Sequence, residues 1–268
     1  MKIIVSHDVD HLTVLEHKKD LIVQKYIIRC LFETMNGSIG LKDLQNRLHE
    51  IGSNKWQNIS EIIRYDRDHR IPATFFIALN NAKGLSYPRN KAIEWIRAIQ
   101  AQHFDVGIHG IHYNHFQDMK NEYQLFSEAS GSNRFGIRMH YLRSTPNTRR
   151  WLEKIGYLFD STEWNFRDCY PYKKMWEFPL HLMDVVEIFG STRYQTKPLK
   201  SIIQETAKKI DTAFGRRFKF FSINFHDRYF SDASRCFKDW YCWLIDYLKD
   251  QKFEFCDFKH AIREMERQ

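Results

Sequence analysis

The chain is poor in the features that mark repeat, fibrous, disulfide-stapled or membrane-spanning proteins. Its 268 residues include 11 Gly and 6 Pro, too few for a collagen-like or low-complexity chain. The five cysteines (Cys30, Cys169, Cys236, Cys242 and Cys256) are scattered and form no C-x-x-C pair. That argues against a zinc knuckle or a redox motif and for reduced thiols in a cytoplasmic setting. No apolar run approaches the ~20 residues of a transmembrane helix, so no transmembrane segment is expected. The stretch from Met1 reaches Asp8 too soon for a signal peptide, and a soluble, non-exported protein is expected. The formal charge is 41 − 33 = +8, spread over pairs such as Arg149-Arg150, Lys173-Lys174, Lys208-Lys209 and Arg216-Arg217. Such pairs read as solvated helix faces, and no nucleic-acid motif accompanies them. A further reading of the charge is attraction of anionic sugars, nucleotide-linked sugars or membrane phosphates.

What is present is apolar residues at 43% and aromatics at 15%, enough for a core without staples. Short apolar or β-branched runs alternate with helical patterns. The strand-like runs are Lys2–Asp10, Ala73–Asn80, Phe104–His109, Phe135–His140, Tyr157–Ser161, Trp176–Met183, Phe218–His226 and Phe253–Phe258. Amphipathic stretches such as Asn90–Gln102 and Leu199–Phe214 lie between them, and Asn147–Ile155 ends at Gly156 as a helix C-cap. Repeated strand–helix units predict an α/β fold with a parallel sheet. At this length the expected form is an irregular (β/α) barrel of about seven or eight parallel strands, a single domain over 1–268. The first connection carries helical segments near Val14–Met35, Leu41–Glu50 and Asn58–His69, a helical insertion over about 14–70 that could act as a lid.

The polar residues gather where such strands end. The runs close on Asp8-Val9-Asp10, His109, Arg138-Met139-His140, Asp160 and His226-Asp227. In a (β/α) barrel these ends converge on one mouth, where active sites sit. Asp8 and Asp10 are two apart and share one face of a strand. Two carboxylates on one face repel unless a cation or a shared proton relieves them, which suggests one metal ligand and one base. His109-Gly110-Ile111-His112-Tyr113-Asn114-His115 adds three histidines. With Asp10 they offer the His/His/carboxylate set of open divalent sites.

In motif order these residues resemble the polysaccharide deacetylases, carbohydrate esterase family 4, over most of the chain from Ser6 to about His226. Ser6-His7-Asp8-Val9-Asp10 is similar to the first family motif, Val106-Gly107-Ile108-His109 to the approach to its His-rich motif, and Arg138-Met139-His140-Tyr141 to R-x-P-Y. Asp160-Ser161-Thr162-Glu163-Trp164 resembles D-x-x-x-W, and Ser222-Ile223-Asn224-Phe225-His226 resembles the last motif. The pieces around Arg138–Arg143 and Trp176–Asp184 look most like deacetylase-like members associated with bacterial surface-polysaccharide (lipopolysaccharide or capsule) clusters. The resemblance implies Asp8 as catalytic base, Asp10 and His109 as metal ligands, Arg138 orienting the base, and His226 as catalytic acid helped by Asp160. Tyr141, Trp164 and His140 would line the substrate groove. The implied cofactor is a divalent metal, zinc above others. The implied substrate is an N-acetylated sugar, oligosaccharide or nucleotide- or lipid-linked sugar that loses its acyl group.

Three positions depart from the family pattern: D-V-D replaces D-D, His140 replaces Pro, and Tyr113 stands four residues after His109, where the second metal histidine belongs. Were a helix to start at once after His109, His112 would share its face. The helical pattern instead begins near Gln117, with Asn114 and Asp118 as caps, so 110–115 reads as a loop that can return His115 to the metal. His115 is therefore the expected third ligand and His112 the alternative. The same departure motivates a second reading, a catalytically inactive sugar-binding or scaffold protein on the same barrel.

Overall fold

The computed structural model describes residues 1–189 and 196–267. Strand β1 (Lys2–Val9) is followed by helices α1 (Ile22–Met35), α2 (Leu41–Gly52) and α3 (Ile59–Asp68), and then by β2 (Thr74–Ile77). Next come α4 (Arg89–Ala101), β3 (Asp105–Gly110), α5 (Phe116–Ser130), β4 (Ile137–Met139), α6 (Thr148–Ile155) and β5 (Phe159–Asp160). The chain continues through β6 (Tyr170–Tyr172), β7 (Met175–Glu177), β8 (Leu180–Met183), α7 (Asp184–Phe189), α8 (Leu199–Gly215) and β9 (Phe220–Asn224). It ends with α9 (Arg235–Asp250), β10 (Glu254–Phe255) and α10 (Phe258–Met265). No helix among the described residues is long and apolar enough to cross a membrane.

The strands form one curled sheet in the order β6-β7-β5-β4-β3-β2-β1-β9-β8, with β10 beside the start of β1. Every pairing is parallel except the β6–β7 hairpin. The segment after β5 reaches round to β8: Trp164 bridges Leu180, and the Leu180 N–H donates to the Glu163 carbonyl at 2.8 Å. The parallel strands β8-β9-β1-β2-β3-β4-β5 thus curl into an irregular barrel, the expected fold class. The run Trp176–Met183 is two strands rather than one, because Pro179 lies between β7 and β8 and has no N–H for the ladder. The hairpin partner β6 escapes a periodicity reading because it is a short edge strand with Pro171 at its centre.

Alternation along β1 sorts the core into two layers. Ile3, Val5 and Val9 face outward into the large cluster beneath the helices. Outward-facing His7 also binds Asp66 of α3 (Nε2 to Oδ2, 2.8 Å), which ties the helices after β1 to the sheet. Ile4 faces inward with Phe76, Phe159, Phe178, Phe220 and Phe258. Phe258, at the start of α10, stacks on Phe159 with centroids 4.2 Å apart. Because β10 pairs at Lys2 and Ile3, this aromatic plug fills the end of the barrel where the strands begin. The inward positions further along β1, Asp8 and then Asp10, are polar.

The plug depends on Gly136, where a Cβ would lie 2.3 Å from the Phe159 ring. Gly136→Ala should therefore destabilise the fold by about 1–3 kcal/mol through overpacking. Urea denaturation should show a lower midpoint at unchanged slope, partly rescued by adding Phe159→Leu. An unshifted midpoint would show that the ring can move aside.

Candidate metal centre and active site

At the C-terminal ends of the strands lies a cavity of about 480 Å³ lined by Asp8, Asp10, His109, His140 and His226 among others. Parity explains how they meet. Asp8 and Asp10 continue the inward face of β1, His109 ends the inward face of β3, and Arg138 with His140 that of β4 and its extension. Ser222, Asn224 and His226 do the same along β9.

Asp8 is buried beside Arg138, which has no solvent exposure. Arg138 Nη1 donates to Asp8 Oδ1 at 2.8 Å and to Asn224 Oδ1 at 2.9 Å, while Asn224 Nδ2 donates to Asp8 Oδ2 at 2.9 Å. The other guanidinium nitrogens donate to the carbonyl and Oγ of Ser161, and Cζ lies 4.4 Å over the Phe76 ring. Burial opposes ionisation of Asp8, but the charge of Arg138 leads those that override it and hold the carboxyl below its usual range.

Asp10 sits among three imidazoles. His109 Nε2 is 3.2 Å and His140 Nδ1 3.4 Å from its Oδ1, and His226 Nε2 is 3.7 Å from Oδ2. Yet Oδ1 is buried and has no hydrogen-bond partner. Burial resists ionisation of Asp10, and contact with His109 and His140 overrides it, so the carboxyl titrates well below its usual range.

The outer ring nitrogens decide what this cluster can do. His109 Nδ1 lies 3.1 Å from the Arg138 carbonyl, and His140 Nε2 lies 3.0 Å from the Lys83 carbonyl. A carbonyl only accepts, so each of these nitrogens carries the N–H. In the neutral rings the lone pairs then sit on His109 Nε2 and His140 Nδ1, which face each other at 3.0 Å. Two lone pairs and a carboxylate oxygen converge on one point with no donor between them. A bound cation relieves that arrangement, as does a proton on His140, where burial opposes the charge but Asp10 overrides it and raises the pKa. The backbone carbonyls behind the two rings are what metal-ligating histidines use for orientation. The donor set fits zinc or a similar divalent ion.

The third member of this group is His140, not His115. His115 is the N-cap residue of α5 with its side chain 67% exposed, 3.1 Å from Asp118. The loop after β3 is held away by the buried Glu122, which accepts the N–H groups of Ile111 (3.2 Å) and His112 (3.4 Å). Burial pushes the Glu122 carboxyl up to about 7. Neither His112 nor His115 lines the cavity. The parity argument made for Asp8 and Asp10 applies equally to Arg138 and His140, and that was the signal available in the sequence. Tyr141 and Leu142, at φ 56° and 52°, turn the chain sharply after His140.

The acid beside His226 is likewise not Asp160. Asp184, fully buried at the end of β8, accepts from His226 twice: from Nδ1 at 2.7 Å and from the backbone N–H at 2.8 Å. Burial disfavours a charged His226, but Asp184 overrides it and raises the imidazole pKa well above its usual value. Asp160 pairs in register with Glu177, and burial raises both carboxyls. With Trp164 it lines a neighbouring cleft, whereas Tyr141 lines the main cavity with Met139, Met183 and Tyr229. Asp184 was legible as one more acid closing a strand-like run. Asn224 was not, since only the barrel brings it to Asp8. His11, Glu16 and His17 form a second group near the mouth. Its Glu16 oxygens already accept from the N–H groups of Leu12 and Thr13 at 2.9 Å each.

No family model and no curated protein matches the sequence. Solved structures do match the fold. Two bear the name polysaccharide deacetylase. The one from Pseudomonas aeruginosa PAO1 has a TM-score of 0.64 at 17% identity, over 100% of this chain and 90% of that one. The one from Mycobacterium smegmatis has a TM-score of 0.61 at 13% identity, over 95% and 92%. A structure of PuuE allantoinase has a TM-score of 0.65 at 15% identity, over 98% and 88%. The chain thus shares the fold of the proteins its motifs resemble.

Metal content distinguishes the two candidate ligands. After equilibration with zinc, His140→Ala should lower zinc stoichiometry to the level of Asp10→Asn, and His115→Ala should leave it unchanged. The reverse pattern in elemental analysis would restore His115 as the ligand.

Proposed function

We propose that the chain is a metal-dependent amide hydrolase that removes an N-acyl group, acetyl in the simplest case, from an amino sugar. The observation that carries this reading is the convergence of Asp10 Oδ1, His109 Nε2 and His140 Nδ1, with both outer ring N–H groups directed at backbone carbonyls. Asp10, His109 and His140 would hold the cation. When bound it supplies Lewis acidity toward the acyl oxygen and a bound water with pKa near ~7.

The chain's own residues supply the proton transfers. Asp8, kept ionised by Arg138, accepts a proton from the attacking water as its oxygen bonds to the acyl carbon. Asn224 and Arg138 fix the Asp8 carboxylate so that it need not reorient. His226, kept protonated by Asp184, gives the proton on Nε2 to the leaving nitrogen as the C–N bond breaks. A carboxylic acid and a free amino group result. The cavity wall of Met139, Tyr141, Met183, Val185 and Tyr229 offers apolar and aromatic surface of the kind that packs on sugar faces. The neighbours named polysaccharide deacetylase support a sugar amide as substrate. We assign the barrel domain to 1–268, with the helices over about 14–70 as its insertion.

Asp8→Asn should reduce kcat by about 10²–10⁴ while metal content stays at the parent level, because it removes a general base and no ligand. Asp184→Asn should move the basic limb of the pH–rate profile to lower pH. The reason is that the lost carboxylate raised the pKa of His226, so the acid form is now lost earlier as pH rises. Acyl release from a panel of N-acetylamino sugars reads both. Full activity in Asp8→Asn, or no release by the zinc-loaded parent, would overturn the assignment in favour of a binding protein.

A further inference from the structure

One cation at the mouth has no hydrogen-bond acceptor for its guanidinium among the described residues. Arg228 follows His226 by two residues and is only 9% exposed. Its Cζ lies 3.9 Å from the Trp56 ring centre and 4.6 Å from that of Tyr26. Among the described residues its guanidinium forms no hydrogen bond and no ion pair, and Nη2 is buried without any acceptor. Leaving a charged donor buried and unmatched is costly, which makes an acceptor supplied from outside favourable. The residue lines two adjoining cavities. One is the main cavity with Asp8, Asp10 and His226; the other, of about 280 Å³, holds Lys25, Tyr26, Arg29, Arg47 and Tyr229.

The second cavity is electropositive. Arg29 and Arg47 share a single carboxylate, Glu33, at 2.9 and 2.5 Å. Lys25 is exposed and in no ion pair among the described residues. Glu50, whose carboxyl burial pushes above its usual range, makes no ion pair with Arg228. Free N–H donors, several positive charges and flanking aromatic rings match a phosphoryl group, which guanidinium forks bind with paired hydrogen bonds.

We infer that Arg228 and Lys25, in the field of Arg29 and Arg47, form a phosphoryl subsite next to the reaction centre. The amino sugar would then be one that carries a phosphate or diphosphate ester, as in nucleoside-diphosphate-linked or polyprenyl-diphosphate-linked sugars. The sugar part of this inference rests on the proposed hydrolase reading; the anion subsite does not.

Titration calorimetry of inorganic pyrophosphate into the full chain tests the subsite without needing turnover. Arg228→Gln should weaken binding about ten- to hundredfold, the scale of a lost charged hydrogen bond. Exposed Lys25→Gln, which does not threaten folding, should weaken it severalfold. Undiminished pyrophosphate affinity in both variants overturns the subsite. In turnover, Arg228→Gln should raise KM for a phosphorylated N-acetylamino sugar about tenfold more than KM for the free sugar. A preference for the nucleoside-linked or for the polyprenyl-linked substrate names the source of the phosphate, and a parent that prefers the free sugar overturns the inference. Pyrophosphate binding without acyl release from any sugar would retain the subsite and remove the hydrolase reading. Acyl release without pyrophosphate binding would do the opposite.

Discussion

Arg138 carries a full charge into a space with no solvent exposure, and the barrel mouth is organised around meeting its needs. Its guanidinium reaches Asp8 on β1, Asn224 on β9 and Ser161 after β5, so one side chain cross-links three strand ends besides its own. Removing any partner of such a buried pair would leave a charge uncompensated in a low-dielectric setting, which costs far more than a surface ion pair. Its backbone acts too, since the Arg138 carbonyl accepts from His109 Nδ1. One residue therefore positions both the carboxylate read as a base and an imidazole read as a ligand.

This polar layer can exist because the layer beneath it is dry. Ile4, Phe76, Phe159, Phe178, Phe220 and Phe258 seal the barrel at the other end, and Phe76 also presents its face to Arg138. The strands thus change character along their length, apolar inside at their starts and ionisable inside at their ends. The change produces a closed floor and an open, charged mouth without any separate device.

The chain after β1 completes the mouth. Trp56, before α3, and Tyr26 of α1 pack against Arg228, and Lys25, Arg29 and Arg47 border the second cavity. The helices that follow β1 therefore do more than cover one end of the barrel. They set the Asp8, Asp10 and histidine cluster on one side of a longer groove that Lys25, Arg29, Arg47 and Arg228 border.

Much of this was legible from local pattern. The alternation of strands and helices predicted the barrel, Gly156 marked the end of α6 with φ at 108°, and the two-residue spacing of Asp8 and Asp10 placed both on one face. The polar strand ends were visible because each is a property of a single strand. The third candidate metal ligand was not found by looking along the chain from His109, because the histidine that meets it follows the next strand. His140 is 31 positions away and arrives by the parallel register that sets His109 beside Arg138. The same holds for Asp184 beside His226 and for Asn224 beside Asp8. Periodicity determines which face of a strand a side chain occupies. Which strands stand next to one another, and so which faces meet, was decided only when the sheet curled and its inward residues had to share one small, water-poor space.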